Sequence, residues 1–347
     1  MRYIFFLVFC LITPNFLAAQ YASKQVSKKE QAYIDSLKQT DYPYIFPIWG
    51  QKVYQRGFDI PYPVGIMANV MWLRQGIIIE NMQLGLKSEN YDIPLTSTDF
   101  IEFGDNLTTV YTANVRPDIW IFPFLNLYGI FGYGTSETEV NLTAPITLNS
   151  VVNQGISTAG VGLMGAFGVG PLWVSIDGNM SWNKPKLLER PVRVGILGVR
   201  LGHTFKFKNR PDRNFALWAG GMRANMQSET RGEIKLIDAL PQDVWDRKDD
   251  FVNSYWEWYE SLNPNNPIDQ RKIEVADRVL TPIVENIDAR NGESIIRYGM
   301  DKRPTELWNG VIGAQFQFDK RWMIRSEAGV FGDRKSFLFS VNYRFLL

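Results

Sequence analysis

The sequence predicts an all-β fold, a transmembrane antiparallel up-and-down β-barrel of about twelve strands with a helical hairpin inserted in one long loop. Three observations predict it. From Val64 onward, apolar and polar side chains alternate in segment after segment, the period that puts one row on each face of a β-strand. No stretch reaches the roughly 20 apolar residues that a membrane helix needs, yet aromatic residues make up 14% of the chain. The connections between alternating segments also sort by length into a short set and a long set, as the two ends of a membrane barrel do.

The first element, residues 1–19, reads as a secretory signal. Arg2 supplies the positive charge, residues 3–12 the apolar core, and Phe16-Leu17-Ala18-Ala19 a cleavage site before Gln20. Cys10 lies inside this segment, so the exported chain is expected to hold no disulfide, thiol nucleophile or cysteine metal site. Lys+Arg 37 against Asp+Glu 36 leaves no electrostatic footprint for nucleic acid. Residues 20–62 form an N-terminal arm, polar and helix-compatible over 27–37, then rich in proline and aromatics over 41–49. It reads as a lead-in to the barrel or as a segment tucked inside it.

The barrel domain spans 63–347. Its first strand carries Val64, Ile66, Ala68, Val70 and Trp72 on one face, with Arg74-Gln75-Gly76 read as a turn. The second, 76–86, is interrupted near Glu80, where a bulge or strand end is expected. A weak candidate follows at 98–103. In the fourth, Leu107, Thr109, Tyr111, Ala113 and Val115 oppose Thr108, Thr112, Asn114 and Arg116, and Pro117-Asp118 reads as the next turn. Strands are then expected at 120–134, 154–167, 172–182, 192–208, 215–230, 306–318, 321–331 and 336–345. The connections 88–97, 117–119, 168–171, 209–214 and 319–320 form the short set, and 135–153, 183–191 and 231–304 the long one. Trp120, Trp182, Trp218, Trp308 and Trp322 lie near strand ends and read as interfacial girdle residues.

The insertion at 231–304 changes period. Val244, Lys248, Phe251, Val252, Tyr255, Tyr259 and Leu262 follow helical spacing, as do Ile273, Ala276, Leu280, Ile283, Val284 and Ile287. Pro264 and Pro267 separate the two runs, and Pro282 should kink the second. Two readings stand: an external cap whose Trp245, Tyr255, Trp256, Trp258 and Tyr259 pack the helices together, or a plug or gate that presents these aromatics as a platform for a sugar or lipid.

With the apolar faces assigned to lipid, the inward candidates are Arg116, Asn126, Asp177, Asn179, Arg223, Asn225, Gln315, Gln317, Arg325, Glu327, Asn342 and Arg344. Such residues either select solutes along a pathway or pair into a network that fills a narrow lumen. No enzyme is expected. His203 is the only histidine, strand parity from Phe205 and Phe207 turns it toward lipid, and a hydrolase would need a general base at the external rim. No cofactor or metal site is read.

The signal segment, the serial alternation and the closing Ser340-Val341-Asn342-Tyr343-Arg344-Phe345 resemble the bacterial outer-membrane β-barrel class. The resemblance implies the outer membrane of a Gram-negative bacterium, a periplasmic N-terminal arm, contact with outer-membrane lipids, and a final strand read by the barrel-assembly machinery. The function expected is a passive channel or uptake protein for small polar solutes, narrowed or gated by the insertion. The alternative is a structural or surface-binding barrel that presents an aromatic-rich hairpin; an outer-membrane lipid hydrolase ranks below both.

Overall fold

The computed structural model describes residues 28–207, 210–227 and 229–345, so the signal read at 1–19 lies outside the described residues. Two helices lead in, α1 (Lys28–Gln39) and α2 (Gly50–Gln55). The strands follow as β1 (Val64–Lys87), β2 (Asp92–Ser97), β3 (Glu102–Phe103), β4 (Asn106–Phe122), β5 (Leu125–Ala144), β6 (Leu148–Val169) and β7 (Leu172–Pro185). They continue as β8 (Val192–Phe207), β9 (Arg210–Met226), β10 (Glu229–Lys235), β11 (Ile295–Pro304), β12 (Trp308–Gln317), β13 (Trp322–Phe331) and β14 (Lys335–Phe345). Ten of them close an antiparallel ring, while β2, β3, β10 and β11 stand outside it. The closure is made by β14 on β1, from Val64↔Phe345 to Arg74↔Lys335.

The ring therefore has ten strands rather than about twelve. Two segments read as separate strands are one, because the chain runs straight through Arg74-Gln75-Gly76. Gly76 marks a close approach instead of a turn: its N–H donates to Asp333 Oδ2 at 2.7 Å, and a Cβ there would lie 2.5 Å from Thr305 Oγ1. The expected bulge does fall in β1, where the register against β11 shifts between Glu80 and Gln83. The weak candidate at 98–103 survives as β3, two residues paired to β5 outside the ring. Removing two strands together preserves direction, but it carries 88–97 to the long-loop end. Pro117-Asp118 is also no turn. β4 continues to Phe122, Pro117 faces Ile66 of β1, and the chain reverses at Pro123-Phe124.

Strand length divides the barrel into a tall side and a short side. β1, β5 and β6 contain 24, 20 and 22 residues, against 10, 10 and 11 in β12, β13 and β14. At about 3.4 Å per residue, the tall strands rise roughly twice as far. Above the tips of the short ones, β11 takes over the edge of β1 that β14 occupies lower down, from Ile77↔Pro304 to Lys87↔Ile295. β10 pairs with β11, and the β7–β8 connection bridges to β10 at Leu188↔Gly232. The start and end of the insertion are thus wall. The stretch 135–153, read as a long loop, is mostly the raised ends of β5 and β6 paired as far as Leu142↔Leu148.

The rest of the insertion is helical: α3 (Leu236–Ala239), α4 (Gln242–Asp246), α5 (Lys248–Glu260), α6 (Pro267–Val275), a π-helical turn (Ala276–Leu280) and α7 (Thr281–Asp288). Pro282 has no N–H to give the preceding turn, and the widened π turn sits directly before α7. Leu86 of β1, Leu236, Val279, Ile283 and Ile287 form one buried cluster; Tyr255, Ala276, Leu280 and Val284 form another. These helices own a core above the barrel, on the raised end of β1. Tyr255 is 1% exposed and Trp258 stacks on Phe100, so these two rings of the proposed platform are structural.

Burial lifts the Tyr255 hydroxyl to about 12. An unfolded tyrosine ionises near pH 10 (about 10 in model peptides), so from there to about 12 the folded unit holds a proton that the unfolded chain has lost. Stability is expected to be intact below that window and to fall as pH rises through it. Phenolate absorbance should show Tyr255 ionising together with unfolding of the helices, and a Tyr255→Phe variant should lose that step.

The arm lies at the short-turn end. Ile48 N–H donates to Ile121 O at 2.8 Å, the Trp49 ring meets Phe122 at 5.0 Å, and Lys320 pairs with Asp59 at 3.1 Å. The outward rows, among them Val70, Phe131, Val161, Leu201, Phe205 and Phe337, are large apolar side chains left exposed. That belt is a lipid-facing surface.

Candidate functional site: a divided lumen

Two cavities occupy the lumen. The upper one, about 440 Å³, lies within the raised walls and reaches Leu188, Thr230, Lys302 and Arg334 at the long-loop end. The lower one, about 150 Å³, runs down to Pro61 of the arm and to Asp319, Lys320 and Arg321 in the β12–β13 turn. Met67, Arg116, Met164, Arg200 and Arg325 line both, so these side chains form the partition.

An ion-pair cluster holds the partition in place. Arg200 of β8 donates through Nε and Nη2 to the two carboxylate oxygens of Glu327 on β13, at 2.6 and 2.8 Å, and through Nη1 to Asp177 of β7. Glu327 also accepts from Arg325 Nη2 at 3.0 Å and from Trp218 Nε1 at 2.8 Å. Arg116 lies over the Tyr128 ring at 3.5 Å, and Tyr128 accepts from Asn179 at 3.3 Å. Charges taken from water survive here because each has a counter-charge or a π face.

A second knot closes the lower cavity. Arg344 of β14 pairs with Asp118 of β4 at 3.0 Å, and Asn126 of β5 donates to the same carboxylate oxygen at 2.7 Å. Arg344 also donates to Tyr62 O at 2.6 Å and to Pro63 O at 3.3 Å, which ties the end of the arm to the closing strand.

Of the residues read as lumen-lining, Arg116, Asp177, Asn179, Arg325 and Glu327 meet at the partition, and Asn126, Gln315, Gln317, Asn342 and Arg344 lie below it. Arg223 and Asn225 do not face the lumen. They are exposed and share the parity of Leu217 on the outer side of β9, while Met222, Ala224 and Met226 point in. The girdle reading divides likewise: Trp182, Trp308 and Trp322 are exposed, whereas Trp120 and Trp218 are 6% exposed and line the lower cavity. Sequence reasoning missed Arg200, Asp118, Tyr128 and Trp218. Parity would have found Arg200, which lies between the outward Val199 and Leu201. Asp118 was hidden by the apparent turn. His203 faces outward beside Phe205, its Nδ1 2.6 Å from Pro171 O.

Two lumenal tryptophans lie flat on glycines of adjacent strands. A Cβ at Gly313 would fall 2.3 Å from the Trp218 ring, and one at Gly202 would fall 2.3 Å from Trp173. Gly313→Val is therefore expected to push Trp218 off Glu327 and to cost about 1–3 kcal/mol. Denaturant unfolding would read the loss, and near-ultraviolet circular dichroism the displaced ring.

A closed ring with an apolar outer belt, short turns at one end and long connections at the other leaves one architecture and one location. The chain is an outer-membrane β-barrel. No protein-family model and no curated protein matches it. Among solved structures it is similar to the β domain of the Bordetella autotransporter BrkA, with 8% identity over 82% of this chain and 100% of that one, at a TM-score of 0.37. It is also similar to the translocator domain of the autotransporter NalP from Neisseria meningitidis, with 13% identity over 85% and 92% at a TM-score of 0.33. An outer-membrane channel from Pseudomonas putida F1 matches with 11% identity over 82% and 96% at a TM-score of 0.26.

Proposed function

We propose that the protein is a non-catalytic, gated uptake barrel: a small solute is held in the upper cavity and passes inward only when the partition opens. The observation that carries this reading is the division of one lumen into two cavities by the Arg200–Glu327–Asp177 cluster. A wide pore would leave its charged side chains unpaired along a continuous water path. A purely structural barrel of ten strands has no need of a cavity of about 440 Å³, a size within the range of roughly 300–1,000 Å³ typical of ligand sites. The gate in this reading is the partition together with the arm. The helices of the insertion serve as an external cap, since none of their side chains lines either cavity.

Planar-bilayer conductance tests the proposal. The full chain is expected to be closed. Removing residues 28–60 should leave it nearly closed, because the partition still spans the lumen. Adding Arg200→Ser, Asp177→Ser and Glu327→Ser to that deletion should give steady conductance. A folded, inserted form of the combined variant that passes no current would end the uptake reading.

A further inference from the structure

We infer that the upper cavity is a binding site for an amphipathic organic anion, one carboxylate on an apolar body, with Lys302 and Arg334 receiving the carboxylate; this rests on the reading of that cavity as the solute chamber.

The charge of its lining is one-sided. Arg116, Arg200, Arg325, Arg334 and Lys302 face it, against Asp177 and Glu327 alone among the described residues. Both carboxylates lie at the floor and are held by Arg200 and Arg325. Near the mouth, among the described residues, no carboxylate forms an ion pair with either cation, and only the neighbouring Asp333 acts on Arg334 through space. Lys302 has neither a hydrogen bond nor an ion pair among the described residues, and it stands opposite the buried Ile79. Burial alone, with no compensating partner, draws its ammonium down to about 8. Arg334 is 3% exposed, and its one side-chain hydrogen bond among the described residues goes to the neutral Gln75, at 2.7 Å. A cation withdrawn from water without an ion pair is costly, and an anion that supplies the pair recovers that cost.

Between the mouth and the floor the wall is mostly oily. Leu73 and Ile77 on β1, Val110 on β4, Ile156 on β6, Val194 on β8 and Met222 on β9 all face the cavity. Gln75 and Ile79 are four residues apart on β1, about 13 Å at 3.3 Å per residue, so the two cations bracket Ile77 on one wall. Neutral polar side chains such as Thr112, Asn114, Thr158 and Asn183 interrupt this wall, but an inorganic anion would leave its apolar part empty. A carboxylate with an alkyl or aryl body matches both parts.

Octanoate, octanol and acetate would be titrated calorimetrically into the full chain in lipid nanodiscs, with empty nanodiscs as blank. Octanoate is expected to bind once per chain and at least tenfold more tightly than octanol, while acetate should not bind over the same range. Lys302→Met should weaken octanoate at least tenfold and leave octanol unchanged, and Lys302→Arg should restore octanoate. Equal affinity for octanoate and octanol, no effect of Lys302→Met, or no octanoate binding would each overturn the assignment. The conductance experiment fails separately. A chain that binds octanoate through Lys302 but never conducts keeps the site and loses the uptake reading.

Discussion

Replacing Glu327 by alanine is expected to destabilise the barrel by about 3–5 kcal/mol, the range for breaking a buried ion pair from one side. Glu327 is 7% exposed and takes three donors, Arg200, Arg325 and Trp218. Without it Arg200 keeps Asp177, Arg325 keeps no carboxylate partner among the described residues, and the Trp218 N–H loses its acceptor. The cost is the stranded charge rather than the lost attraction, because paired charges in a low-dielectric site gain little net energy over an apolar filling. Removing both signs should therefore restore much of the loss. Glu327→Ala with Arg325→Met, which leaves the Arg200–Asp177 pair intact, is expected to be more stable than Glu327→Ala alone. Urea unfolding of protein in lipid vesicles would measure both. A single variant within 1 kcal/mol of the parent would mean that water already solvates the cluster, at about the value of an exposed pair.

The alternation that made the barrel legible was strongest where one face meets lipid and the other meets packed polar groups. β7 is the clearest case: Ile176, Met180 and Trp182 are exposed outside, and Ser175 and Ser181 are buried inside. The errors came from glycine and proline. Gly76 and Pro117 carry the marks of turns, yet both lie within strands whose pairing runs through them. A turn residue reports a backbone tolerance, and a close approach or an edge without a needed N–H uses the same tolerance. The second storey was not legible at all. That β10 and β11 stand over β12 to β14 depends on pairings across more than 200 residues, such as Ile77↔Pro304, which no local period encodes.

Most of the site could be named from parity, and its partners could not. Arg325 and Glu327 follow from their strand, but the bonds of Glu327 to Arg200 and Trp218 require β13 to meet β8 and β9 within the lumen. Arg223 and Asn225 show the converse. A charged side chain near a strand end was assigned inward by polarity, while the outward Leu217 on the same parity, 45% exposed, already placed both outside. On that upper rim polar side chains meet headgroups and water, so polarity ceases to mark the lumen there.

Arg344→Met is expected to combine a loss of stability of about 3–5 kcal/mol with release of the arm. Arg344 and Asp118 are 8% and 7% exposed, so the substitution leaves a buried carboxylate with Asn126 as its remaining partner. It also removes the donors to the Tyr62 and Pro63 carbonyls, of which Pro63 O keeps the Trp120 N–H at 2.9 Å. The rest of the arm keeps its contacts to Phe122 and, through Asp59, to Lys320, so loosening should begin at residues 60–62 rather than at α1. Protease added at the short-turn side of the reconstituted barrel should cut the variant there many times faster than the parent. Arg344→Lys keeps the charge but cannot reach a carboxylate and two carbonyls from one planar group, and is expected to fall between the two. If Arg344→Met unfolds more easily but its arm is cut no faster, the arm is held by its contacts to Ile121, Phe122 and Lys320, and the closing strand does not control the inner mouth.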